Sequence, residues 1–241
     1  KLTSLKYMDA SKNNIASLPG QAFNDSKELT FLNLSTNGIV SVPSELGNCH
    51  ELSYLNISDN GITHIPGAIF LKLKKLEYLF MYKNKIVAVP SEIGAATNLR
   101  IISLANNNLG DEGADLIFTA LSRNTRSALE DLNLSDNNLT GAAIINSVSP
   151  YLNRQNPITS LDLSFNEIDN GGLESMAASI SGNNTINKLF LRRNLFSDIG
   201  VFHFLSSIIK CNNLVELDLS DNNLGALGAE HISNYLKTNS S

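Results

Sequence analysis

One eleven-residue pattern of apolar and polar positions recurs along the chain. Apolar residues stand at positions 1, 4, 6 and 11, polar residues fill most of the others, and asparagine stands at position 9. The pattern occurs nine times, in repeats 1 to 9, which begin at residues 5, 29, 52, 76, 99, 129, 158, 186 and 214. Alternation around positions 4 and 6 predicts a short strand with one apolar face. Side by side, such strands predict a parallel sheet over one continuous core, which no single repeat could form alone.

The asparagine at position 9 stands where the chain turns away from each strand. Such a turn leaves backbone N–H and C=O groups inside the protein, and these groups need partners. A carboxamide supplies both a donor and an acceptor. We therefore expect a structural ladder that bridges adjacent turns, formed by Asn13, Asn37, Asn60, Asn84, Asn107, Asn137, Asn166, Asn194 and Asn222.

The spacing of the repeats changes partway along the chain. The first five begin 23 or 24 residues apart, whereas the later ones begin 28 to 30 residues apart. This predicts one solenoid over residues 1–241, with short repeats in 1–98 and longer ones in 99–241. The short repeats carry a proline at one equivalent place, which disfavours a long helix there and favours extended or short 3-10 segments. These prolines are Pro19, Pro43, Pro66 and Pro90.

The longer repeats carry apolar residues at helical spacing between their strands. In repeat 7, for example, Leu173, Met176 and Ile180 fall on one helix face. Repeat 6 departs from this pattern because Pro150 should truncate its helix.

The motif L-x-x-L-x-L-x-x-N-x-L, in register nine times, resembles the leucine-rich repeat family, and the resemblance covers essentially the whole chain. The short repeats resemble those of intracellular signalling scaffolds, and the longer ones resemble the ribonuclease-inhibitor-like class. The resemblance implies an α/β horseshoe of nine repeats with a parallel concave sheet. Its convex side should be extended or 3-10 in the first half and α-helical in the second. Neither end shows a cap, so we expect further chain, most likely before Lys1.

Composition narrows the range of partners. The chain has 241 residues, of which 42% are hydrophobic and 17% charged, as in ordered soluble proteins. A net charge of −5 gives no overall attraction to nucleic acid or acidic membranes. No apolar run approaches the roughly 18 residues of a transmembrane helix, and we expect no signal peptide within these residues. We therefore expect neither nucleic acid nor membrane insertion.

Cysteine usage favours a cytoplasmic location, or the host cytosol if the protein is a bacterial effector. Cys49 and Cys211 occupy equivalent places six repeats apart, roughly 29 Å by strand spacing, so they should be free buried thiols. Seven glycosylation sequons weigh the other way, toward an extracellular location. They begin at Asn24, Asn33, Asn56, Asn133, Asn138, Asn183 and Asn239.

Catalytic and metal-binding patterns are absent from the sequence. The four histidines are scattered without metal-ligand spacing, and no phosphate-binding glycine motif occurs. We predict no catalytic residues, no metal and no cofactor in this segment, although a catalytic domain could lie outside it.

The outward positions 3, 5, 7 and 8 of each repeat should form the functional surface. Position 3 is aromatic or apolar in repeats 1 to 5, and positions 5 and 7 are mostly small and polar. Repeats 4 and 8 instead carry aromatic and basic residues there, the types enriched at binding hot spots. The candidate partner-binding residues are Tyr7, Phe31, Tyr54, Tyr78, Phe80, Tyr82, Lys83, Ile101, Phe165, Lys188, Phe190, Arg192 and Arg193.

Two structural explanations compete with this interpretation. Stacking of neighbouring rings, which would stiffen the sheet, accounts for Tyr7, Phe31 and Tyr54 but not for Phe80 and Tyr82. The basic residues of repeat 8 could instead pair internally, with acceptors at Asp162, Asp218 or Asp221.

We predict a non-enzymatic module that binds another protein through its concave face, with aromatic anchors in repeat 4. One alternative is the targeting segment of a larger enzyme, such as a kinase, ubiquitin ligase or cyclase, or part of a bacterial effector or innate-immune sensor. Another alternative is an extracellular receptor fragment. The partner's identity and the oligomeric state stay open.

Overall fold

Nine short parallel strands form one sheet in the computed structural model, which describes residues 3–154, 156–209, 211 and 213–238. The sheet order follows the chain from β1 to β9, so the predicted α/β solenoid is confirmed. The strands are β1 Tyr7–Asp9, β2 Phe31–Asn33, β3 Tyr54–Asn56, β4 Tyr78–Phe80, β5 Ile101–Ser103, β6 Asp131–Asn133, β7 Ser160–Asp162, β8 Lys188–Phe190 and β9 Glu216–Asp218.

The register of the sheet aligns equivalent positions of successive repeats. Tyr7 pairs with Phe31, which pairs with Tyr54. The middle residue of β2 to β8 is buried, as at Leu32 and Leu132, because position 4 points into the core. Positions 3 and 5 therefore point outward, onto what we call the sheet face.

Helical turns connect the short repeats, and the expectation of extended or 3-10 segments is wrong for repeat 3. Three of these turns are 3-10 helices, Gly20–Phe23, Ser44–Asn48 and Ser91–Ala95, but repeat 3 forms the α-helix α1, Gly67–Lys72. Repeats 2 and 4 carry Gly47 and Gly94 four residues after the proline, and glycine disfavours helix. Repeats 1 and 3 both carry phenylalanine there, but strong helix formers, Leu71 and Lys72, follow it only in repeat 3, where repeat 1 has Asn24 and Asp25. A proline directly precedes each turn, so these prolines mark helix starts.

The longer repeats return through helices, as the apolar spacing predicts. On α5, the residues Leu173, Met176 and Ile180 are buried. The helical segments are α2 Gly110–Arg123, α3 Gly141–Ala143, a π-helical turn Ile144–Val148, α4 Ser149–Leu152, α5 Asn170–Ser181, α6 Asp198–Ser207 and α7 Ala226–Thr238.

The expected truncation at Pro150 is wrong. The chain stays helical from Gly141 to Leu152, with the π-helical turn directly before α4. Proline lacks an N–H, and in a regular α-helix its ring clashes with the carbonyl four residues earlier. A wider π turn relieves that contact without ending the helix.

The position-9 asparagines connect successive repeats beneath the sheet's edge. From Asn37 onward, each side chain donates to one carbonyl of the preceding repeat and to two of its own, and accepts from a backbone N–H. Asn137, which is fully buried, donates to Leu104 at 2.9 Å and to Leu134 at 3.2 Å. Asn13, in repeat 1, donates only to carbonyls of its own turn.

Both cysteines are buried and free, as their spacing predicts. Burial raises the pKa of the Cys49 thiol to about 11.

Candidate protein-binding face

Aromatic rings at position 3 stack along the first strands of the sheet face. The centroids of Tyr7 and Phe31 are 4.2 Å apart, and those of Phe31 and Tyr54 are 4.3 Å apart. The ring planes are nearly parallel, at 9° in the first pair and 13° in the second. Such stacking is the structural role that the sequence allows for these three rings.

The stack changes character at repeat 4. The ring of Tyr78 lies 6.2 Å from that of Tyr54 and is tilted by 38°, while the ring of Phe80 lies closer, at 5.3 Å. Tyr78, Phe80 and Tyr82 are each half-buried, and Lys83 is exposed beside them. Ile101 continues the apolar column next to Tyr78. Repeat 4 thus presents a cluster of three rings on the sheet face.

Phe80 and Tyr82 replace a recurring polar pair. In six repeats the carboxamide or carboxylate at position 5 accepts a hydrogen bond from the backbone N–H of a serine at position 7. Repeat 4 has no such pair, so its aromatic side chains replace a local stabilising interaction. The pairs are Asp9 with Ser11, Asn33 with Ser35, Asn56 with Ser58, Asn133 with Ser135, Asp162 with Ser164 and Asp218 with Ser220.

The bulky residues of repeat 4 adjoin the most deeply buried of these pairs. Phe80 is the register partner of Asn56 on the neighbouring strand. Asn56 is 9% exposed and Ser58 is 0% exposed, and their side chains are 2.6 Å apart.

A second cluster joins repeats 7 and 8 at the end of their strands. The guanidinium carbons of Arg192 and Arg193 each lie 5.6 Å from the ring centroid of Phe165. Arg192 also donates two hydrogen bonds to the carboxylate of Asp221, from Nη2 at 2.7 Å and from Nε at 3.0 Å. The sequence does not reveal this cluster as a unit, although position 8 of one repeat lies beside positions 7 and 8 of the next.

Internal pairing accounts for part of the basic row in repeat 8. Arg192 pairs with Asp221, and Lys188 pairs with Glu216 at 3.2 Å. Arg193 is exposed and makes no ion pair with any described residue. Phe190 is half-buried on β8, where it pairs in register with Asp162 and Asp218.

Small side chains, all polar except Ala105, occupy positions 5 and 7 of repeats 5 to 7, next to the two clusters. Repeat 5 has Ser103 and Ala105 there. At position 3 of repeat 6, burial raises the pKa of Asp131, and the nearby charge of Asp162 raises it further. Ser160 and Lys188 oppose this shift. Between two bulky rows the sheet face therefore carries small side chains and the carboxyl groups of Asp131 and Asp162.

The described part of the chain contains no group of three or more His, Cys, Asp or Glu residues that could hold a metal. Within the same residues, no helix has the length and apolarity that crossing a membrane requires.

These features define an α/β solenoid with an exposed, partly aromatic sheet face. Leucine-rich repeat family profiles match residues 28–49, 50–109, 155–177 and 210–233, together more than half of the sequence. The chain belongs to the leucine-rich repeat family.

One curated relative is the leucine-rich repeat-containing protein AAC1 of Dictyostelium discoideum, 30% identical over 136 residues. The match covers 54% of this chain but only 16% of the relative.

Solved structures with the same fold include three plant proteins. The peptide hormone receptor RGFR1 in complex with RGF2 matches with a TM-score of 0.51 at 22% identity, over 91% of this chain and 44% of the receptor. A plant ice-binding protein matches with a TM-score of 0.58 at 19% identity, over 90% of this chain and 72% of the ice-binding protein. The Arabidopsis thaliana receptor kinase ectodomain GASSHO1/SCHENGEN3, in complex with CASPARIAN STRIP INTEGRITY FACTOR 2, matches with a TM-score of 0.56 at 21% identity. This match covers 92% of this chain and 30% of the ectodomain. At these identities the similarity concerns the fold.

Proposed function

We propose that this chain is a non-enzymatic interaction module that binds a segment of another protein across its sheet face, with Phe80 and Tyr82 as the main anchors. The observation that carries the proposal is the replacement of the recurring position-5 and position-7 polar pair by two aromatic side chains. Large, rigid rings in a half-buried patch are typical hot-spot residues.

The surroundings of the anchors support this function. Tyr78 and Ile101 extend the apolar patch along position 3, and exposed Lys83 borders it. The three-residue strands offer about 10 Å of width, so a partner segment would contact several repeats in succession. Two of the structural neighbours were solved as receptors with a bound peptide or protein factor, which is the same general kind of interaction.

We propose the cytoplasm as the compartment, because both cysteines are free and buried. The receptor ectodomains among the structural neighbours favour the extracellular alternative. Of the sequon asparagines, Asn24 and Asn138 are exposed, Asn56 and Asn183 are buried, and Asn239 lies outside the described residues. The intact mass of the chain from a eukaryotic secretory host tests whether the sequons accept glycan, and peptide mapping identifies the modified asparagines.

A displayed library of random 16-residue peptides tests the proposed binding directly. Selection on the wild-type chain should enrich peptides that no longer bind Phe80→Asn/Tyr82→Ser. The matched control is Val87→Ser, because Val87 is a 57% exposed apolar residue of the same repeat that lies off the sheet. Peptides that bind all three proteins equally would contradict the proposal.

A further inference from the structure

The ring of Phe165 lies beside two guanidinium groups. The backbone of Phe165 has a left-handed φ of 57°, as position 8 has in every repeat, and Phe165 is 40% exposed. A bulky side chain is unusual in this backbone conformation. In the other eight repeats, position 8 carries a charged or polar residue. The exposed aromatic ring is therefore a specific feature of repeat 7, and cation–π contacts with Arg192 and Arg193 orient both side chains.

The two arginines differ in one respect. The guanidinium of Arg192 already holds the carboxylate of Asp221 through two nitrogens. That of Arg193 lies at the same 5.6 Å from the ring, is exposed, and has no ion-pair partner among the described residues. An exposed guanidinium beside a ring keeps N–H donors free, and these donors match a carboxylate. The Arg192–Asp221 pair is an internal example of that contact.

We infer that the partner segment carries, besides its apolar anchor for Phe80 and Tyr82, an acidic side chain that binds Arg193. This inference rests on the proposed function and specifies the chemistry of the partner. Residues 165 and 193 follow β7 and β8, three and four strands from β4. The clusters are thus roughly 14–19 Å apart, which an extended segment spans in about four to six residues.

The small side chains between the clusters fit this arrangement. Ser103, Ala105 and Ser135 leave room for a backbone to cross the sheet face from one cluster to the other.

The test uses the same displayed 16-residue library. Wild-type selection should enrich Asp or Glu about four to six residues from an aromatic or aliphatic position, and selection on Arg193→Gln should enrich the apolar position alone. Arg126→Gln, which changes an exposed arginine after α2, is the matched control and should select like the wild type. Thermal unfolding of each variant verifies that it is folded.

A double-mutant cycle with one selected peptide completes the test. Replacing its acidic residue by the amide should weaken binding to the wild type about tenfold and leave binding to Arg193→Gln unchanged. Peptides that need Phe80 but no acidic residue, or a cycle with additive effects, overturn this inference alone. The proposed function and this inference are overturned together if the selection returns no peptide, or only peptides that bind Phe80→Asn/Tyr82→Ser as well as the wild type.

Discussion

The ring of Phe80 packs against the ring of Tyr54 at 5.3 Å, although its register partner on β3 is Asn56. Phe80 thus leans diagonally from position 5 toward the position-3 column, and the nearly parallel stacking of the earlier rings ends there. This packing raises the question of whether Phe80 is needed for stability or for binding.

The double substitution Phe80→Asn/Tyr82→Ser separates the two roles. It restores the polar pair that other repeats use, as at Asn33 with Ser35, so a local hydrogen bond replaces the lost ring contact. We expect a change of less than about 1 kcal/mol in the free energy of unfolding, measured by urea denaturation. A loss of about 3 kcal/mol or more would show that these rings are chiefly structural.

The asparagine ladder should be strongest where it is buried. Asn137→Ala would leave three carbonyls and one N–H without their partner inside the protein, so we expect a loss of about 3 kcal/mol or more in urea denaturation. Asn13→Ala is the control, because exposed Asn13 bonds only to its own turn, and its loss should stay below about 1 kcal/mol. Equal losses would argue against the bridging of adjacent repeats as the cause.

Asp131 should reduce stability at neutral pH. Burial raises its pKa in the folded protein, so the carboxyl binds a proton more readily there than in the unfolded chain. We expect Asp131→Asn to raise the urea midpoint at pH 7. This gain should disappear as the pH falls below the ordinary aspartate pKa of about 3.9, where the wild-type carboxyl is protonated in both states. A lower midpoint at pH 7 would be inconsistent with this reasoning.

Asp9 should affect the stability of the fold in the opposite direction to Asp131. Hydrogen bonds from the side chain and backbone of Ser11 lower the pKa of Asp9, so its ionised form favours the folded state. Asp9→Asn should lower the urea midpoint at pH 7, and the deficit should shrink as the pH falls through the lowered pKa.

The buried cysteines should resist thiol reagents. Cys49 is fully buried and its pKa is raised to about 11, so almost no thiolate exists at pH 8. We expect no reaction of Cys49 with a disulfide reagent such as DTNB until urea unfolds the chain. Rapid labelling of the native protein would mean that this part of the core opens readily.

The sequence predicts the sheet and its register well, because the positions of Leu32, Leu79 and Leu132 determine which side of each strand is buried. It fails where a few residues change local helix geometry. Leu71 and Lys72 extend the turn of repeat 3 into α1, and Pro150 is accommodated by a π-helical turn instead of ending its helix. Both outcomes depend on packing and carbonyl geometry that a repeat pattern does not contain.

For the candidate site, the sequence identifies which side chains point outward but not how they pair across repeats. The sequence offers three carboxylates as partners for the basic residues of repeat 8. Only the side-chain geometry identifies Asp221 as the partner of Arg192. The shared contact of both arginines with Phe165 likewise depends on side-chain conformations that the sequence does not contain.

The most direct test of the central claim is the dissociation constant of one selected peptide, measured by isothermal titration calorimetry. Each anchor should contribute about 1–3 kcal/mol, so binding to Phe80→Asn/Tyr82→Ser should be at least about 30-fold weaker than to the wild type. Binding to Val87→Ser should be unchanged. Equal affinity for the folded double variant and the wild type would contradict the assignment of the sheet face of repeat 4 as the binding surface.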